Sequence, residues 1–400
     1  DDWAQAGNAG WSWQDVLPVY QGFENRVDAD GQSGGGGPLY VSDVRHQLHP
    51  SMRHFFRAAE QAGLPFTEDF NGSQPEGVGR YQINTRRGMR WSAADAFLRP
   101  ALRRGNVDLQ TGALAERILF DGRKATGVMY RQGGNTHTAR ARAAVVLSAG
   151  TIQSPQLLQL SGIGPGALLQ QHGITPILAQ QQVGRNLQDH LAMSYYFKAT
   201  EPTLNNVLGS LWGKLRVGVQ YVTTLGGPLS ISVNQCGGFV RSHDAATQAD
   251  MQLYCNPITY TLAASKTGTQ IVPDSFAGFI LCFQPCRPLS RGRIEIVSPD
   301  AARAPRITPN YLSHPEDVAQ ALRGAKLIQR LTGTDAMKGL IKKPIAPSLD
   351  GMSDASMVED FRSRASTCYH PVGTCAMGPD PATAVVDTRL DAEKLAHAEH

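Results

Sequence analysis

Three short stretches carry residue types that could hold a ligand or move a proton. The first is Ser148-Ala149-Gly150, set between the apolar run 143–147 and Ser154-Pro155-Gln156-Leu157-Leu158-Gln159-Leu160. Small residues let a backbone approach a ligand closely. A strand, a tight turn and a helix N-terminus in that order is how α/β proteins hold anionic or dinucleotide ligands. The second is Tyr369-His370-Pro371-Val372-Gly373-Thr374-Cys375-Ala376-Met377-Gly378. An imidazole can take or give a proton near neutrality, although a single His beside Pro also serves as an ordinary structural residue. The third is Asp189-His190, which has the chemistry of an acid/base pair but reads as hydrogen-bonding residues at a domain junction.

Other features point away from chemistry. Gly31-Gln32-Ser33-Gly34-Gly35 has the spacing of a nucleophile elbow, but no strand precedes it and no helix follows. The six cysteines (236, 255, 282, 286, 368 and 375) form no CxxC pair and no Cys/His spacing typical of zinc. Reduced, mostly buried thiols and no metal are therefore expected. The net charge is +4, and no run of Lys or Arg exceeds two, so no nucleic-acid footprint is visible. No apolar run is long enough for a transmembrane helix. Asp1-Asp2-Trp3 opens no signal peptide, which reads as a cytoplasmic chain.

The elements that must position these residues follow from periodicity. Residues 143–147 are β-branched or small and suit a strand buried on both faces. Ser154 would cap the next helix, with Pro155 at its first position. Ser12-Trp13-Gln14-Asp15 is a capping-box pattern ahead of an apolar helix. Met52, Phe55, Phe56 and Ala59 give residues 50–62 one inward face. From residue 107 the period changes to two: 114–120, then 125–130, then 136–142 read as a three-stranded meander. Segments 237–240, 251–254, 277–283 and 293–298 are candidate strands of one antiparallel sheet. Ser313-His314-Pro315-Glu316 opens a helix carrying Val318, Leu322, Ala325 and Ile328.

These residues also carry a resemblance. Gly150-Thr151, Ser154-Pro155, Leu157-Leu158 and Ser161-Gly162-Ile163-Gly164 resemble the second signature of the glucose–methanol–choline (GMC) family of flavin-dependent alcohol oxidoreductases. The segment around His370 is similar to the one that carries the family's catalytic histidine. Val183-Gly184-Arg185-Asn186-Leu187-Gln188-Asp189-His190 is similar to the family's turn after the signature helix, with Gln181-Gln182 in place of Pro-Gly. The resemblance implies FAD as cofactor and His370 as the base for oxidation of a primary alcohol to the aldehyde. It places Ser148, Ala149, Gly150 and Ser154 near the cofactor and Ala115 against the adenine. The resemblance is to choline-dehydrogenase-like or aryl-alcohol-oxidase-like members.

Two departures qualify it. No GxGxxG follows a strand; Gly162-Ile163-Gly164-Pro165-Gly166-Ala167 follows a helix. The second catalytic His or Asn of the family is not identifiable, and His397 and His400 lack its context. The expectation is a chain missing the family's N-terminal FAD-binding unit and part of its C-terminus. The fold class expected is α/β (mixed α+β): an incomplete two-dinucleotide-binding FAD domain plus a substrate domain with an antiparallel sheet flanked by helices. The divisions are a bridging region 1–94, FAD-domain segments 95–190 and 366–400, and a substrate domain 191–365. The expected partners are a small alcohol and an unidentified electron acceptor, oxygen or quinone. A flavin-free binding partner and a lyase on the same scaffold are the alternatives.

Overall fold

A computed structural model describes residues 1–28, 33–265, 268–345 and 347–392. Gly31 and Gln32 of the formal GxSxG, His397 and His400 lie outside the described residues. The helices that matter here are α1 (Trp13–Phe23), α2 (Met52–Gln61), α3 (Gly150–Leu160), α4 (Leu211–Thr224), α5 (Pro315–Thr332) and α6 (Asp354–Arg364). The strands are β1 (Gly77–Arg80), β2 (Thr85–Arg86), β3 (Met89–Arg90), β4 (Ala113–Asp121), β5 (Lys124–Gln132) and β6 (Asn135–Arg140). They continue with β7 (Leu191–Ala199), β8 (Cys236–Val240), β9 (Met251–Asn256), β10 (Gly278–Pro285), β11 (Arg293–Glu295), β12 (Arg306–Thr308), β13 (Ile341–Pro344) and β14 (Ser366–Thr367).

One seven-stranded antiparallel sheet runs β13-β7-β10-β9-β8-β1, with β14 also paired to β7. Side chains alternate across a strand. Met193, Tyr195, Leu253, Phe279, Leu281 and Phe283 therefore share one face and enter the main core with residues of α2, α5 and α6. Ser194, Tyr254, Cys282 and Gln284 take the other face. β10 is buried along its whole length, as a central strand covered on both sides must be. The α2 face matches the expected one, with Ala58 buried beside Met52, Phe55 and Ala59. The capping box of Ser12 and Asp15 forms at α1.

The meander is present as β4-β5-β6. Its first turn is Gly122-Arg123, since Asp121 pairs with Lys124. Two expectations are corrected. Arg293–Glu295 does not join the large sheet; it pairs with β12 as a separate hairpin. Residues 143–147 form no strand. Val145 and Leu147 do pack inward against Ile118, Leu157 and Val385, but Val146 is 84 % exposed. A strand exists only through a hydrogen-bonded neighbour, and no described strand pairs with this run.

The six thiols are free. Burial pushes Cys286, Cys368 and Cys375 up to about 12 each. A thiol with a raised pKa stays protonated at mildly alkaline pH, and the thiolate is the nucleophile. We expect iodoacetamide at pH 8 to modify these three at least about tenfold more slowly in the folded chain than in urea, followed by mass spectrometry. Equal rates would mean that the thiols are ionised or open.

Packing of α5 on the sheet gives a second expectation. A Cβ on Gly324 would lie 2.2 Å from two ring carbons of Phe283, which is fully buried. Alanine gains about 1 kcal/mol of helix propensity over glycine, whereas overpacking a closed core costs about 1–3 kcal/mol. Gly324→Ala should therefore lower the urea midpoint; a rise would show that the ring has room to move.

Candidate active site

The helix behind the small-residue turn begins earlier than its residues suggest. α3 starts at Gly150 (φ +81°), with Ala149 at the N-cap, so Ser154 is inside the helix rather than capping it. Its Oγ accepts the Ala149 N–H at 3.1 Å. Pro155 therefore sits in the helix body. A proline has no N–H to give the carbonyl four residues back, and that carbonyl belongs to Thr151. The Thr374 hydroxyl fills the vacancy, donating to the Thr151 carbonyl at 2.6 Å. In return the Thr151 hydroxyl donates to the Pro371 carbonyl at 2.7 Å. Two hydroxyls thus pin the segment 371–374 to the first turn of α3.

A second tie comes from the backbone. Gln188 and Val372 exchange both N–H···O bonds at 2.9 Å. In an antiparallel pair each step along one chain is matched by a step back along the other. His190 must then face His370, and their Nδ1 atoms are 3.1 Å apart. The turn between these partners needs Gly373 (φ +97°), where a Cβ would lie 2.3 Å from the Asn186 carbonyl. Asp189 anchors the same corner. Its carboxylate accepts the His370 N–H at 2.9 Å and the hydroxyls of Thr367 and Tyr311. Burial first, and the bond to Asp189 second, push the Tyr311 phenol up to about 12, so Tyr311 stays a donor.

The proton positions follow from the partners. His190 Nε2 lies 3.0 Å from the Cys286 carbonyl, which can only accept. Neutral His190 thus carries its proton on Nε2, and its Nδ1 is an acceptor. Gln284 Nε2, 3.3 Å away, donates to that same nitrogen. His370 Nδ1–H then donates to His190, and His370 Nε2 is left with a lone pair. His370 is exposed. Gln284 is itself oriented by Gln252 at 2.8 Å and by the Cys368 thiol at 2.6 Å.

His370, Ser148, Ala149, Gly150 and Ser154 are thus brought to one corner by the Thr151 and Thr374 bonds. Ala115 is not joined to it: it lies exposed on β4 at a register break, on a sheet that reaches α3 through Ser161. His190 was expected to be structural; it contacts His370 directly. Gln284 and Gln252 were not foreseen. Their signal was a polar residue ending the apolar run Phe279–Phe283. A cavity of about 200 Å³ lies elsewhere, lined by Tyr195, Phe197, Lys338 and Leu349, and includes none of these residues.

The corner also suits a flavin. Ser148, Ala149 and Gly150 are exposed, and no side chain caps α3. The first N–H groups of a helix lack internal partners and favour an anionic or carbonyl acceptor. A Cβ on Gly150 would meet nothing within 4 Å, so the space beside it is open.

Comparison with known proteins places the chain in a family. Two family models, each described as GMC oxidoreductase, match residues 1–192 and 288–396. An alcohol dehydrogenase (acceptor) of Pseudomonas putida is 38% identical over 398 residues, 98% of this chain and 71% of that protein. An oxygen-dependent choline dehydrogenase of Brucella ovis is 36% identical over 390 residues, 97% of this chain and 69% of that protein. The crystal structure of pyridoxine 4-oxidase from Mesorbium loti superposes with a TM-score of 0.80 at 29% identity, covering 96% of this chain and 71% of the other. The expectation of a missing N-terminal unit and an incomplete FAD domain is not supported: the N-terminal family model is matched by residues 1–192, the small-residue turn and α3 among them. The chain belongs to the GMC oxidoreductase family and is an FAD-dependent oxidoreductase.

Proposed function

We propose that this chain oxidises a primary alcohol to the aldehyde, with His370 as the base. The observation that carries the reading is the His370–His190–Cys286 chain of hydrogen bonds on an exposed His370; with both rings neutral it puts the His370 proton on Nδ1 and a lone pair on Nε2. FAD, when bound, supplies the acceptor for the hydride that leaves the alcohol carbon. His370 Nε2 takes the hydroxyl proton. Positive charge then develops on an imidazole whose Nδ1–H donates to a neutral ring, so the pair can share the proton without a buried carboxylate. Asp189 holds the His370 backbone, and the Thr151–Thr374 exchange fixes its distance from the small-residue turn.

Ser148, Ala149, Gly150 and Ser154 would hold the cofactor at the uncapped start of α3, with Ala115 on the adenine side. Segments 95–190 and 366–400 would form the flavin side, 191–365 the substrate side, and 1–94 the bridge. The sheet face bearing Tyr254, Cys282 and Gln284 would present the alcohol. Similarity to the alcohol dehydrogenase of Pseudomonas putida and the choline dehydrogenase of Brucella ovis supports an alcohol substrate.

The test is anaerobic bleaching of the FAD-loaded chain by a series of primary alcohols. His370→Ala should slow the bleaching by about 10²–10⁴, the usual worth of a fixed base. A rate within a few-fold of the parent would exclude the assignment.

Thr374 gives a separate expectation. Thr374→Val leaves the Thr151 carbonyl without a donor, which costs about 1–3 kcal/mol where water cannot enter. Because the change misaims His370 rather than removing it, kcat should fall by about tenfold with KM little changed, and Thr374→Ser should recover most of the rate. Steady-state kinetics of the two variants decide it; equal kcat in all three proteins would mean that the bond does not aim the base.

A further inference from the structure

The largest unexplained feature lies away from this corner. α4 is capped by Ser210, whose Oγ accepts the Gly213 N–H at 3.0 Å, yet Val217 is its only fully buried residue. At about 100° per residue, Leu211, Trp212, Leu215, Val219 and Val222 fall within a sector of about 100° on the face opposite Val217. Leu211, Trp212 and Val222 are 84%, 81% and 79% exposed. An apolar stripe so open is uncommon on a protein surface and marks a contact.

The charged residues of α4 itself have one sign. Lys214 borders it on one side and Arg216 on the other; both are exposed. No acidic residue occurs between Glu201 and Asp244. The β2–β3 hairpin packs beside the C-terminal end of α4. The Tyr221 hydroxyl donates to the Gly88 carbonyl at 3.3 Å, and Gly88 has no Cβ because one would lie 1.6 Å from the Leu225 carbonyl. The hairpin is thereby seated on the end of α4, presenting exposed Arg87, Met89 and Arg90.

We propose that the exposed face of α4 docks on an anionic lipid bilayer. A stripe of Trp, Leu and Val bordered by basic residues is the pattern of a helix lying in the membrane interface. At 14 residues α4 is about 21 Å long, short of the ~30 Å hydrocarbon core, so it lies on the bilayer and does not cross it. Among the described residues no helix is long and apolar enough to span. A second copy is the poorer occupant. In a twofold pair the same patch meets itself, which would oppose Lys214 and Arg216 to their own copies. Anionic headgroups complement them instead.

The test is co-sedimentation of the full chain with phosphatidylcholine vesicles, with and without phosphatidylglycerol, at low and higher salt. The chain should bind the anionic vesicles at least about tenfold more tightly, and salt should weaken the binding. Lys214→Gln with Arg216→Gln should weaken it by about 25-fold, since each basic residue near such a surface contributes roughly fivefold. Trp212→Glu with Leu215→Glu should abolish it while leaving the melting temperature and the anaerobic alcohol reaction unchanged, because both side chains are exposed. Three results would overturn the proposal: no binding to anionic vesicles at low salt, binding unaffected by either pair, or a dimer in light scattering that the Trp212/Leu215 pair dissolves without any vesicle binding.

Discussion

A proline inside a helix leaves one carbonyl of the preceding turn without its donor. Here that carbonyl is on Thr151, and the vacancy is what docks the His370 segment. A hydroxyl donor to a buried carbonyl is worth a modest amount in isolation, but leaving the carbonyl empty costs more. The segment 371–374 therefore has one place to sit. The reciprocal Thr151 bond to Pro371 removes the remaining freedom to slide. Everything else at the corner is built from that seat: the Gln188–Val372 pair, the facing imidazoles and the Asp189 anchor.

The large sheet decides what can reach that corner. Its alternation sends Met193, Tyr195, Leu253, Phe279, Leu281 and Phe283 toward the core with α2 and α5, and Ser194, Tyr254, Cys282 and Gln284 to the opposite face. Gln284 illustrates the division. Phe283 packs against α5 beside Gly324, while the next residue turns over and donates to His190. One strand thus joins the hydrophobic core to the proton-handling pair, and core packing sets the position of the hydrogen bond.

The membrane-facing reading of α4 and the family's chemistry do not depend on each other. α4 contributes one side chain, Val217, to the buried interior, and the residues of the imidazole corner make no hydrogen bond to it among the described residues. The same chain carries one face that packs inward and another on which Leu211, Trp212 and Val222 lie exposed.

Much of the local structure was legible from residues alone. Ser12 and Asp15 announced α1, the spacing of Met52, Phe55 and Ala59 announced α2, and the change of period at residue 107 announced the meander, because each rests on contacts within a few residues. The strings around Gly150 and His370 pointed to the family for the same reason: their side chains act in sequence order. What needed the tertiary structure was any property that depends on a distant neighbour. The run at 143–147 has strand-forming residues but no described strand to pair with, and Ser154 looks like a cap only until Gly150 is seen to begin the helix. The pairing of His190 with His370 spans 180 positions and follows from a backbone register that no side chain encodes. The use of Pro155 is of the same kind: its missing N–H can be read from the sequence, but which hydroxyl answers it is decided by where the chain returns.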